Sequence, residues 1–458
     1  MKHFVRVIVM LFLLFSQSVF AENWRESGSF LLPRVPIGNT ELGTNIRLIT
    51  IQNTNSDSSM IGNVALAYVE ASTTRNTNLL PIRVKKLSHY NGGGSFSSSL
   101  DTWTTIGNAG FTNRGFSFTG YADLEEYNYE IGGTSLTNSI LGCFDAPCSN
   151  FQTLGAVTTL VPQIEPAFAY PNEKSNTDMI STETHDYFAY PDQTQGGRVT
   201  VVRREHSSGP LTSGAWEVVA QPGFSGPGTI AHIRLAYKRG NEIRVVVATD
   251  NGSLSAIQVF RLSRIQIMGM PPFSLWMQEG NAISVSHVIM SEPSIPNFKY
   301  YAHPDLEIDN NGIPHLLFTR MTTASEGGRI QSTVRILSGN TWVDFVDPFI
   351  GNLSSEDNVC TDMTFDTITN KLFVGCVNVT HLRPMVKTLS GFLISRWTTL
   401  GDILSEAGNK TACIPFFPPA DTGITYDRGT NALFFAYSSC GGTTSNVSNV
   451  RVVAKDLD

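Results

Sequence analysis

The feature that most constrains this chain is the placement of its tryptophans, because all six recur in one local context. Trp24 begins Trp-Arg-Glu-Ser-Gly, Trp103 begins Trp-Thr-Thr-Ile-Gly, Trp276 begins Trp-Met-Gln-Glu-Gly and Trp397 begins Trp-Thr-Thr-Leu-Gly. Trp216 and Trp342 head the strand-like runs Trp-Glu-Val-Val and Trp-Val-Asp-Phe-Val. The one long gap, 113 residues from Trp103 to Trp216, contains Phe151-Gln-Thr-Leu-Gly, the same motif with phenylalanine in place of tryptophan. With Phe151 counted, the intervals are 79, 48, 65, 60, 66 and 55 residues, and 64 more run from Trp397 past the C-terminus and from Glu22 to Trp24. Seven units of about 62 residues suit four-stranded blades with moderate loops.

A second motif keeps phase with the first. Apolar strands ending in Ala-Tyr precede most of these aromatics: Leu66-Ala67-Tyr68, Phe188-Ala189-Tyr190, Leu235-Ala236-Tyr237 and Phe435-Ala436-Tyr437. Leu317-Phe318-Thr319, Val374-Gly375-Cys376 and Phe118-Thr119-Gly120-Tyr121 take the equivalent places elsewhere. Three of these strands follow turn-forming runs at Asp309 to Gly312, Asp366 to Asn370 and Asp427 to Asn431, where Asp, Asn and Gly tolerate positive φ. No sustained helical apolar period interrupts the pattern. The expected fold is all-β: a seven-bladed propeller of four-stranded antiparallel blades forming a single domain over residues 22–458. Six blades with a long insertion at 108–177 is the alternative count. The last unit lacks its Trp strand, and the orphan Trp24 strand would supply it and close the ring.

The run from Pro304 to Phe318, which ends a blade at Trp342, resembles the sialidase-like and other secreted bacterial β-propeller repeats. That resemblance covers most of the chain as a blade pattern and implies architecture. Sialidases of this kind would also carry an arginine triad, a Tyr/Glu pair, an acid aspartate and Ser-x-Asp-x-Gly-x-x-Trp boxes. The boxes are degenerate here, as at Ser99-Leu100-Asp101-Thr102-Trp103 and Ser338-Gly339-Asn340-Thr341-Trp342. Among Arg47, Arg83, Arg234 and Arg335 nothing in the sequence singles out a carboxylate clamp.

The first 21 residues read as a signal peptide: Lys2 and Arg6, then the apolar run Val7 to Phe15, then Val19-Phe20-Ala21. Nine apolar residues cannot span a bilayer. An exported protein, periplasmic or extracellular, is expected. Removal of this segment leaves 30 basic against 39 acidic residues, a balance that repels phosphate and excludes nucleic acid as a partner. No membrane span follows, and a monomer is expected. Six cysteines in such a chain point to disulfides. Nearest-neighbour pairing gives Cys143–Cys148, Cys360–Cys376 and Cys413–Cys440, the second and third of which flank hairpins. A zinc site is the rival, but no Cys-x-x-Cys or clustered histidine supports it. No cofactor or metal is expected.

Chemistry is hard to find in the linear sequence. Neither a Gly-x-Ser-x-Gly elbow, a His-Glu-x-x-His helix nor a phosphate-binding glycine loop is present. Asp305, Glu307 and Asp309 alternate with apolar residues, which reads as a solvent-facing strand edge rather than a calcium loop. Tyr121, Asp123, Glu125, Tyr127 and Tyr129 would share one face if their segment were extended, making a candidate glycan-binding strip. The function expected on this footing is a non-catalytic propeller binding a protein or glycan partner. The first alternative is a glycan-active hydrolase or lyase whose carboxylates come from separate blades in the central channel. The second is a structural component of a cell-surface assembly.

Overall fold

The computed structural model describes residues 24–26, 38–41, 46–53, 63–69, 81–88, 102–112, 116–123, 126–133, 139–143, 152–156, 177–206, 216–240, 242–250, 254–268, 270–286, 288–292, 295–300, 303–322, 329–346, 349–350, 357–378, 383–390, 396–400, 422–440 and 447–457. These residues form strands and turns, with one short 3-10 turn at Gln193–Gln195. No helix among them is long and apolar enough to cross a membrane. The signal-peptide segment lies outside the described residues.

The chain is a β-propeller of four-stranded antiparallel blades. Each blade runs outward from an inner strand, as in Asp178–Ser181, His185–Asp192, Arg198–Glu205 and Glu217–Val218. The inner strands are Ile46–Asn53, Phe116–Asp123, Asp178–Ser181, Thr229–Ala236, Asp305–Ile308, Asn358–Phe365 and Gly423–Asp427. Each lies beside the next, and Gly423–Asp427 lies beside Ile46–Asn53.

Hydrogen bonding does not divide these strands into seven separate sheets. It gives six sheets of four or more strands, and one two-stranded hairpin of Val288–Glu292 with Ile295–Tyr300. The reason is local. The runs 46–112 and 116–156 merge into one eight-stranded sheet through a parallel bridge, with Gln52 opposite Tyr121 and Asn53 opposite Ala122.

The terminal strands meet as the Trp phase requires. Arg25–Glu26 pairs with Val447–Asp456, Arg25 opposite Ala454, as the outer strand of the sheet that begins at Gly423. The Trp motif has a mechanical explanation. Trp276 donates its indole N–H to the Val219 carbonyl at 3.0 Å, Trp342 to Glu279 at 3.1 Å and Trp24 to Leu400 at 2.5 Å. Each acceptor stands three residues after the tryptophan of the neighbouring blade. Gly280, one further on, has φ of +75°, and a Cβ there would come within 2.6 Å of the Trp342 indole nitrogen. The spacing between tryptophan and glycine is therefore the footprint of the next blade's indole.

The apolar runs do not all take the same place in their blades. Leu235-Ala236 and Phe118 to Tyr121 belong to inner strands, whereas Leu66 to Tyr68, Phe188 to Tyr190 and Phe435 to Tyr437 lie on second strands. Inner and second strands are both covered by neighbouring blades, so both read as apolar runs. The three turns form as expected, with positive φ at Gly312, Asn370 and Asn431. Their leading aspartates close them: Asp366 Oδ1 accepts from the Ile368 and Thr369 amides, and Asp427 Oδ1 from that of Gly429. The apolar faces pack between blades, as where Leu306, Ile308 and Phe318 meet Val246, Val259 and Trp342.

Cys360 and Cys376 are bonded across directly opposed strand positions. The Cys143–Cys148 and Cys413–Cys440 pairings lie outside the described side chains.

Candidate functional site

An inner strand presents alternate side chains to the blade behind and the blade ahead. On Asp305–Ile308, Leu306 and Ile308 pack backward into the apolar cluster, so Asp305 and Glu307 point forward. The same alternation sends Arg47, Asp178, Arg234 and Asp362 forward while Leu48, Met179, Leu235 and Met363 join apolar clusters. Charged groups from separate blades thus converge where the inner strands of neighbouring blades meet.

Three of the carboxylates bridge blades. Asp178 Oδ2 accepts the Leu235 amide, Asp305 Oδ2 the Met363 amide and Asp362 Oδ2 the Ile424 amide, each at 2.8 Å. Arg234 lies between two of them, with Nη1 3.9 Å from Asp178 Oδ1 and Nε 3.6 Å from Asp305 Oδ1. The Asp362 carboxyl hydrogen-bonds to Asp305. Arg47 interacts electrostatically with Asp178, Asp305 and Asp362, yet its Nε and Nη2 are buried without a hydrogen-bond partner.

Burial sets the protonation of this cluster. Asp178 and Asp305 are each pushed up to about 6, chiefly by loss of solvent, with their backbone amides and Arg47 opposing the shift. Glu307 is pushed up to about 8, first by burial and then by the neighbouring Asp305 charge. Asp362 is raised well above the usual carboxylate range by burial and by Asp305. The two carboxyls titrate together as a pair. Near neutral pH the site therefore holds ionised and protonated carboxyls side by side, the arrangement that acid–base chemistry needs.

Two histidines flank the cluster. His232 and His303 stand two residues before Arg234 and Asp305, and their rings meet edge to face with centroids 5.4 Å apart. His303 has φ of +37°, a conformation a non-glycine residue holds only where its surroundings enforce it. No group of metal-ligating side chains occurs among the described residues.

The reading of Asp305, Glu307 and Asp309 as a solvent-facing edge is corrected: Asp305, on the innermost strand of its blade, and Asp309, in the turn after it, are each 5% exposed. The Tyr121–Glu130 segment is likewise not one extended strand. Its described residues lie on two antiparallel strands, with Asp123 opposite Glu126 and Tyr121 opposite Asn128. Glu125 and the side chains of Tyr121, Asp123, Tyr127 and Tyr129 lie outside the described residues. Sequence reading missed Asp178 and Asp362 altogether, because nothing local distinguishes an inner-strand aspartate from a surface one. Exposed apolar side chains gather at Ile267, Met268, Met270 and Phe273, on the outer hairpin of the sheet beginning at Thr229.

No protein-family model matches the sequence, and no curated protein matches it. Solved structures do. An α-L-arabinofuranosidase from Fusarium graminearum is 10% identical, with 92% of this chain and 97% of that one covered and a TM-score of 0.39. An α-L-arabinanase from Penicillium chrysogenum is 11% identical, with coverage of 92% and 99% and a TM-score of 0.38. The hemagglutinin-neuraminidase of parainfluenza virus 5 is 9% identical, with coverage of 82% and 94% and a TM-score of 0.36. The likeness is one of fold, and at that level the resemblance to sialidase-like β-propellers stands. The expectation of a non-catalytic binder does not. It rested on the absence of any clustered titratable groups, and carboxyls from separate blades meet Arg234 and Arg47.

Proposed function

We propose that this chain is an exported glycan-active hydrolase or lyase that works from the central channel of a propeller of seven radial units, the eight-stranded sheet being two blades bridged at their inner strands. The observation that carries this reading is the meeting of carboxyls from three blades around Arg47 and Arg234, with proton affinities spread by burial. Glu307, which keeps its proton to about 8, is assigned as the general acid to the leaving oxygen. Asp178, ionised above about 6, is assigned as the base or nucleophile. Arg234 holds Asp178 and Asp305 in place. Glu307 and Asp362 are only half-buried, which gives a sugar in the channel access to them. A glycan is accordingly the ligand proposed.

The test is release of sugar from neutral and acidic polysaccharides by the purified protein, across pH 4 to 10. A bell-shaped rate profile is expected, rising near 6 as Asp178 ionises and falling near 8 as Glu307 does. Cleavage of none of these polysaccharides, or an unchanged rate in Glu307→Gln, would overturn the reading.

A further inference from the structure

The Asn358–Phe365 strand carries a bulge at one place. Cys360 opposes Cys376 and Asp362 opposes Gly375, so Thr361 is the extra residue, standing between the disulfide and the carboxyl. A bulge re-aims the side chain that follows it and recurs beside active sites. Thr229–Ala236, which presents Arg234, is the other inner strand with a register shift, at Ala231 between Ile230 and His232.

The bulge at Thr361 is held from three sides. The Cys360–Cys376 bridge ties its upstream end across the hairpin. The Thr361 hydroxyl meets that of Thr422 at 2.8 Å and accepts the Thr422 amide at 3.1 Å, which joins the extra residue to the next blade. Opposite Asp362, a Cβ on Gly375 would lie 2.8 Å from the Phe435 ring and 3.1 Å from Thr422 Oγ1, so only glycine lets the two blades close this far. Asp362 then reaches both the Ile424 amide and the Asp305 carboxylate.

We propose that Cys360–Cys376 and Thr361 are positioning residues that fix Asp362 against Asp305, so that the disulfide-pinned bulge sets which of the two carboxyls carries their shared proton. The inference rests on the channel carboxyls being the working groups of the proposed hydrolase or lyase. The charged groups that bear on Asp362 are Asp305, Arg47 and Glu307, and none of them is altered by the variants below.

The experiment compares Thr361→Val, Thr361→Ser and the double variant Cys360→Ala/Cys376→Ala with the parent chain. It reads the titration of aspartate carboxyl carbons by NMR, assigned with Asp362→Asn, alongside kcat, KM and melting temperature. Thr361→Val and the double variant should move the Asp305–Asp362 titration and lower kcat about 10- to 100-fold at near-constant KM, since a displacement of about 1 Å costs on that scale. Thr361→Ser, which keeps the hydroxyl, should follow the parent. If the melting temperature drops in the first two variants while the titration stays put, the residues are merely structural and the inference is wrong. If the titration moves but the parent cleaves no glycan, the positioning stands and the proposed activity falls.

Discussion

The outer and inner rims of this propeller solve one mechanical problem with different chemistry. At the outer rim an indole N–H of one blade reaches a backbone carbonyl of its neighbour, as Trp342 reaches Glu279 and Trp276 reaches Val219. At the inner rim an aspartate of one blade takes a backbone amide of the next, as Asp305 takes Met363 and Asp178 takes Leu235. Each link also satisfies a buried backbone group. The difference lies in charge. An indole does not titrate, so its link is indifferent to pH. The inner aspartates are buried, which raises their proton affinity and gives a structural belt acid–base character. Blade-to-blade fasteners in a propeller can thus be titratable groups as well.

That contrast is broken most directly by removing the proposed proton donor of the inner rim. Glu307→Gln should cut glycan turnover by about 10²- to 10⁴-fold, measured as kcat, while the fold is kept. Loss at the outer rim should do the reverse. Trp342→Ala should leave the titration of the channel carboxyls in place but destabilise the protein by about 3–5 kcal/mol in denaturant melts, through lost packing and an orphaned Glu279 carbonyl. Gly280→Ala should act in the same sense but less, by about 1–3 kcal/mol, because a new methyl meets the indole at a backbone conformation that glycine alone holds easily.

The smallest effect is the most diagnostic. Glu307 is raised from 4.5 to about 8, so the stability linked to its bound proton is fully present below about 4.5 and is lost as pH rises through 8. Glu307→Gln removes that dependence. The melting temperature of the variant should therefore gain on the parent between pH 6 and 9, and a constant offset across that range would place Glu307 in open solvent instead.

The blade repeat was legible because it is written in local terms. The position of Gly280 after Trp276 answers to a steric contact, and Asp366 and Asp427 close their turns within a few residues of chain. Cys360 and Cys376 could be paired because one hairpin sets them face to face. Asp178, Asp305 and Asp362 carry no such mark, since their partners lie 57 to 62 residues ahead on another blade. Alternation identified Asp305 and Glu307 as one face of a strand but could not say whether that face met water or a neighbouring blade. Ring closure decided it: only when Arg234 and Arg47 are brought round beside these carboxyls do burial and neighbouring charge set who holds a proton. The sequence by itself determined the repeat, the turns and one disulfide, all fixed by short-range sterics and hydrogen bonding. The tertiary structure alone decided where the charges meet, because electrostatics between buried groups depend on distance through space and on the exclusion of water.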